Sequence, residues 1–185
     1  NKPTQEGLYQ HFAAVVRAVP LPAVLYNVPS RTGVDLLADT IARLAEIDAI
    51  VAVKEATGTV QRTQQILAKT GDRITVLSGE DGLHLALLCL GAKGIISVTS
   101  NVAAAQMVAV DQALAAGDLP LARALHYALL PLHDAMFVET NPGPVKAALA
   151  RLGRIAPAIR LPLVMPQGKS LEVIDAALRK VGLSS

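Results

Sequence analysis

Four short apolar runs punctuate the chain as far as residue 98: Ala23–Tyr26, Ile50–Val53, Ile74–Leu77 and Gly94–Val98. Each is aliphatic or β-branched and none alternates with polar residues, the pattern of strands buried on both faces of a parallel sheet. Periodic stretches follow the runs and predict helices over Asp35–Glu46, Val60–Lys69, Leu83–Leu90 and Ala103–Ala116. Asp35, Thr59, Asp81 and Asn101 stand as N-caps near their starts, because a short polar side chain can accept from a free helical N–H. Gly71, Gly91 and Gly117 sit just past three of the ends. A helix over Gln5–Ala18 precedes the first run. Three more follow the last, over Pro120–Phe137, Pro142–Arg151 and Ser170–Lys180, the final one stopped by Gly182. Helix, four βα units and a helical tail make an α/β architecture with parallel strands. Four strands are too few to close a barrel, which takes eight strands and about 250 residues. They suit an open sheet or half a barrel, and the pattern alone does not choose.

Composition narrows the functional classes. With 52% hydrophobic and 17% charged residues, the chain carries a core and is not intrinsically disordered. A net charge of +2, 3% aromatics and no Trp supply neither the electrostatic footprint nor the stacking surface for a nucleic acid, so none is expected as a partner. The one cysteine excludes an internal disulfide framework and fits a reducing compartment. Lys2, Glu6, His11 and Arg17 break any signal-peptide core in the first twenty residues. The most apolar long stretch, Leu119 to Val138, is interrupted by Pro120, Arg123, His126, Pro131, His133 and Asp134 and reads as a buried helix rather than a membrane span. The expectation is a cytoplasmic protein with no membrane partner. His11, His84, His126 and His133 have no acidic or thiol partner at ligand spacing, so no metal is expected.

In parallel α/β folds the chemistry sits at the C-terminal ends of the strands. There the sequence places Tyr26 and Arg31 in YNVPSRTG, Lys54 in KEATG, Gly79 in SGEDG, and Ile96 to Asn101 after the fourth run. Lys54 ends the run Ala-Ile-Val-Ala-Val. A lysine leaving a dry sheet is pushed toward its neutral amine, the form Schiff-base chemistry needs. The plainer alternative is a lysine that snorkels to water or pairs with Glu55. Tyr26 can relay protons or be a core aromatic, and Arg31 can clamp a carboxylate or form a surface ion pair. Glu80 and Asp81 argue against an anion in the Ser78–Gly82 loop, which reads as a turn and helix cap, with Gly79 allowing a small ligand close to the backbone.

Taken in series, YNVPSRTG, VAVKEATG, LSGEDG, GAKGIISVTSNV and ETNPGPVKAAL resemble the dihydrodipicolinate synthase family, class I Schiff-base enzymes of the N-acetylneuraminate lyase superfamily. The resemblance runs along the whole chain. It implies the C-terminal half of a (β/α)8 TIM barrel, strands five to eight, over residues 1–117, and a C-terminal helical domain over 118–185. It implies that Lys54 captures pyruvate as a covalent imine without a separate cofactor and that Tyr26 transfers protons. Arg31 would bind the carboxylate of aspartate semialdehyde, and Gly79 and Ile96 would line the pyruvate pocket through their backbones. The implied reaction is condensation of pyruvate with L-aspartate 4-semialdehyde in lysine and diaminopimelate biosynthesis, by a homodimer or homotetramer. In the family, the string that opens here at Asn1 follows a tyrosine reaching into the neighbouring subunit's site, and a threonine of the catalytic triad lies earlier still. The chain is therefore expected to be the C-terminal part of such an enzyme. Two alternatives stand beside this reading: another pyruvate-dependent aldolase acting on a 2-keto-3-deoxy sugar acid, and an inactive half barrel.

Overall fold

A computed structural model describes residues 2–183. Asn1, on which the expectation about the start of the chain rests, lies outside the described residues. Contacts divide the chain into two compact units, one up to Ile96 and one from Ser97 onward.

The first unit is built on a three-stranded parallel sheet in the order β1 (Ala23–Asn27), β2 (Ile50–Glu55), β3 (Thr75–Ser78). Its helices are α1 (Gln5–Ala18), the short α2 (Pro29–Thr32), α3 (Ala38–Leu44), α4 (Val60–Thr70) and α5 (His84–Cys89), the last preceded by a 3-10 turn over Asp81–Leu83. Thr4 and Thr59 cap α1 and α4 by accepting from the backbone N–H of Gly7 and Arg62. Two expected caps do other work. Asp35 stands ahead of a helix that begins only at Ala38, and its carboxylate accepts from Arg62 and Asn27 instead. Asp81 is buried inside the 3-10 turn.

The fourth apolar run is not a strand. It meets β3 in a single parallel bridge, Ser78 to Ile95. Backbone hydrogen bonds from Lys93 to Val76, Ser78 to Gly94 and Ile96 to Ser78 hold it there. The pairing stops because β3 itself ends at Ser78, where the chain turns into the SGED loop.

One face of the sheet is covered by helices within the described residues. Leu25, Val53 and Val76 point into a core shared with Leu8, Ile41, Leu44 and Ile66. In the described chain by itself, Val24, Tyr26 and Val51 on the strands are 48%, 45% and 41% exposed. A register shift between Ala23 and Val24 places Val51 out of step with its neighbours.

In the second unit α6 (Ser100–Ala115), α7 (Leu119–Ala135), α8 (Gly143–Arg151) and α9 (Gly168–Lys180) pack around Met107, Val110, Leu129, Leu132, Met136, Ala148 and Ile174. Asn101 is not the cap of α6 but lies within it. The first free N–H that receives a side chain, that of Ser100, donates to Ser97 Oγ at 2.8 Å. Asp118 caps α7 by accepting from Leu121. Thr99 Oγ1 and His133 Nδ1 lie 2.8 Å apart in a buried contact, and the His126 ring is 5.8 Å from that of His133. Among the described residues no helix is long and apolar enough to cross a membrane.

The first unit depends on the helix-facing side chains of the sheet and α4. Ile66 is fully buried among them, so Ile66→Ala is expected to lower unfolding free energy by about 2–5 kcal/mol in denaturant titration. Val51→Thr, on an exposed strand position, is expected to cost under about 1 kcal/mol.

Candidate active site

Parallel pairing of β1 with β2 places Tyr26 opposite Lys54 and, one residue on, Asn27 opposite Glu55. Successive side chains of a strand point to opposite faces, so the two pairs separate. Tyr26 and Lys54 share the open face, and the Lys54 Nζ lies 4.1 Å from the centre of the Tyr26 ring. An ammonium over an aromatic face is attracted by the ring quadrupole, by about 0.5–1 kcal/mol at an exposed site. In the described chain by itself, Lys54 is half-buried and Tyr26 exposed. Glu55 is not its ion-pair partner. It is turned to the covered face, where its two oxygens accept from Thr57 N–H at 2.6 Å and Asn27 Nδ2 at 3.0 Å.

The end of β3 closes on the end of β2. Gly79 N–H donates to Glu55 O at 2.7 Å. A Cβ on Gly79 would fall 2.6 Å from the Ala56 Cβ and 2.9 Å from Glu55 O. The missing side chain is therefore required by the approach of two backbones. Ser78 Oγ donates to Glu80 O and accepts from Glu80 N–H, shaping the turn that follows. Ile96 N–H donates to Ser78 O at 2.9 Å while its side chain is 44% exposed. Arg31 is exposed on α2, which Gly33 ends in the left-handed conformation at φ 69°.

Burial pushes the Glu80 carboxyl above the ordinary range, the Asp81 charge adds to that, and Lys54 opposes it. Glu80 thus lies within electrostatic reach of the amine. Lys54, Tyr26, Gly79 and Ile96 occupy the ends of adjacent backbone segments. Chemically, the arrangement offers a primary amine beside a phenol ring, with an acidic group within electrostatic reach.

The residues that sequence reasoning passed over are polar and buried. Asn27 and Glu55 are each 2% exposed, and both belong to a network with Asp35 and Arg62. The available signal was an Asn and a Glu directly following the two candidate residues at the ends of apolar strands, where a buried polar group must find a partner.

The family model described as the Dihydrodipicolinate synthetase family matches residues 1–181. The 4-hydroxy-tetrahydrodipicolinate synthase of Sorangium cellulosum (strain So ce56) is 52% identical over 98% of this chain and 60% of its own length. That of Syntrophus aciditrophicus (strain SB) is 49% identical over 99% of this chain and 63% of its own length. The crystal structure of the chloride-inhibited dihydrodipicolinate synthase from Acinetobacter baumannii, complexed with pyruvate, superposes with a TM-score of 0.95 at 46% identity, covering 99% of this chain and 63% of that one. The chain thus spans about three fifths of the length of the relatives it matches.

Two outcomes follow from the geometry. Gly79→Ala is expected to destabilise the protein by about 1–3 kcal/mol, measured by denaturant unfolding. Adding Ala56→Gly is expected to restore part of the loss, because the contact with Glu55 O remains. A carboxyl whose folded pKa is raised favours the fold while protonated, and that contribution is lost as pH rises from the ordinary carboxylate range through the raised value. Glu80→Gln is therefore expected to raise stability at neutral pH and to flatten that part of the stability–pH curve.

Proposed function

The chain belongs to the dihydrodipicolinate synthetase family, and on that premise we propose that it carries the imine-forming half of a 4-hydroxy-tetrahydrodipicolinate synthase. The reaction is condensation of pyruvate with L-aspartate 4-semialdehyde in lysine and diaminopimelate biosynthesis. The observation that carries this reading is the Lys54 amine at a strand end, 4.1 Å from the Tyr26 ring, inside the motif series that marks the family. In architectural terms, residues 1–117 form the second half of a (β/α)8 barrel and residues 118–185 the C-terminal helical domain. In this arrangement α6 is the last barrel helix.

The neutral amine of Lys54 adds to the ketone of pyruvate, and loss of water leaves an iminium ion. The iminium withdraws electrons, so a methyl proton departs and an enamine forms. The enamine carbon attacks the aldehyde of aspartate semialdehyde, whose oxygen takes up a proton. The amine of the same substrate then adds to the imine carbon, closes the ring and expels Lys54 as the free amine. Tyr26 moves protons in these steps. The Arg31 guanidinium on α2 meets the carboxylate of the semialdehyde with its planar fork. Gly79 and Ile96 present backbone to the pyruvate. The pyruvate bound to the Acinetobacter baumannii relative supports this substrate. The imine is made by the protein's own lysine, so the reaction takes no separate cofactor. The active protein is a cytoplasmic homo-oligomer.

Borohydride reduction of the full-length protein in the presence of pyruvate, followed by peptide mass mapping, tests the reading. Lys54 is expected to carry the reduced pyruvate adduct and Lys54→Arg to carry none; an unmodified Lys54 in folded protein would overturn it. Arg31→Ala is expected to cost about 1.5–3 kcal/mol of transition-state binding, a ten- to hundredfold fall in kcat/KM for the semialdehyde, from loss of a charge-assisted pair. The rate of pyruvate imine formation is expected to change little.

A further inference from the structure

On the covered face of the sheet, directly behind Tyr26 and Lys54, lies a set of polar groups that the imine reaction does not touch. Asn27 Nδ2 donates to Glu55 Oε2 and to Asp35 Oδ1, each at 3.0 Å, and Asn27 Oδ1 accepts from Leu36 N–H at 3.0 Å. Both donors of the amide and its oxygen are engaged. Arg62 forks onto Asp35 with two hydrogen bonds of 2.7 Å and reaches Leu36 O at 3.1 Å. The guanidinium holds the Asp35 carboxyl below the ordinary range against the opposing effect of burial. Each member comes from a different element: Asn27 from β1, Glu55 from β2, Asp35 from the segment before α3, and Arg62 from α4. Two of the four groups are almost wholly buried. Burying such groups stabilises little, and leaving one unpaired is costly. What a fully satisfied network of this kind supplies is a single geometry.

We propose that Asn27 is a positioning residue for the reaction at Lys54, and that with Glu55, Asp35 and Arg62 it sets the distance between the Tyr26 ring and the Lys54 amine. The proposal rests on the reading of Lys54 as the imine-forming lysine and Tyr26 as the proton-transfer group. Asn27 and Glu55 are register partners one residue beyond Tyr26 and Lys54. A side-chain tie between 27 and 55 on the covered face fixes the backbone from which Tyr26 and Lys54 project on the open face. A tie to Asp35 and Arg62 anchors that point to the helices. The extent of pyruvate capture at equilibrium is set by the amine, whereas the rate of proton removal from the imine depends on the amine-bound carbon and the proton-transfer group being in fixed relation. A displacement on the order of 1 Å costs such a step up to a hundredfold.

The test uses full-length protein and two readouts at saturating pyruvate: the fraction of Lys54 trapped by borohydride, and the rate at which deuterium from solvent enters the pyruvate methyl group. In Asn27→Ala the trapped fraction is expected to stay within about twofold of wild type, while exchange per trapped imine falls about ten- to a hundredfold. The KM for pyruvate is expected to change little. A purely structural role would lower both readouts in proportion to the folded fraction, so an unchanged ratio overturns the proposal. Arg62→Lys keeps the charge at the rim of the network and loses the fork. It is expected to lower the ratio in the same direction by a smaller factor, and it decides the matter if Asn27→Ala does not fold. Wild-type protein that traps no pyruvate at Lys54 would overturn the imine reading and this proposal with it, whereas normal trapping with an unchanged exchange ratio overturns this proposal alone.

Discussion

The parallel register of β1 against β2 is the constraint on which the rest of the first unit depends. It pairs Tyr26 with Lys54 and Asn27 with Glu55. Because strand side chains alternate between faces, that one alignment puts the two pairs on opposite sides of the sheet. The amine and phenol ring stand on the open side, and the amide and carboxylate join the hydrogen-bonded set beneath. A slip of β2 by one residue would turn Lys54 to the covered face among apolar helices and Glu55 to the open face, breaking both pairs. The apolar core of Leu25, Val53, Val76, Ile41 and Ile66 resists the slip by its burial, and the Asn27–Glu55 hydrogen bond resists it by its specificity.

The same alignment explains why Gly79 and Ser78 matter to residues distant from them in sequence. The end of β3 reaches the end of β2 closely enough for Gly79 N–H to donate to Glu55 O, an approach that only a residue without a Cβ allows. The Ser78 carbonyl then receives the Ile96 N–H. Backbone hydrogen bonds thus run from the lysine-bearing strand to the segment carrying Ile96, and they set the spacing of the strand ends around the amine.

Much of this was legible in the residues. The apolar runs marked the three strands to within a residue or two at their ends. Of the expected caps, Thr59 is one, and α1 spans the residues its periodicity predicts. The motif strings carried the family and pointed to Lys54 and Tyr26. The polar tie beneath the sheet was not legible, because it joins Asn27 to Glu55 across 28 positions of chain. Nor was the role of Asp35. A short acidic residue ahead of a helix looks like a cap, and only the fold brings α4 and Arg62 across to meet it.

Local pattern was enough to place the three strands, most of the helices and the family, since periodicity and motif spacing are local properties. Which side chains meet depends on the packing of distant segments. Lys54 against Tyr26, Glu55 against Asn27, and Asp35 against Arg62 are contacts across 28, 28 and 27 positions of chain respectively. No local pattern encodes them. They arise when β2 and α4 pack against elements formed earlier in the chain, and the requirement that each buried polar group find a partner then leaves a single arrangement.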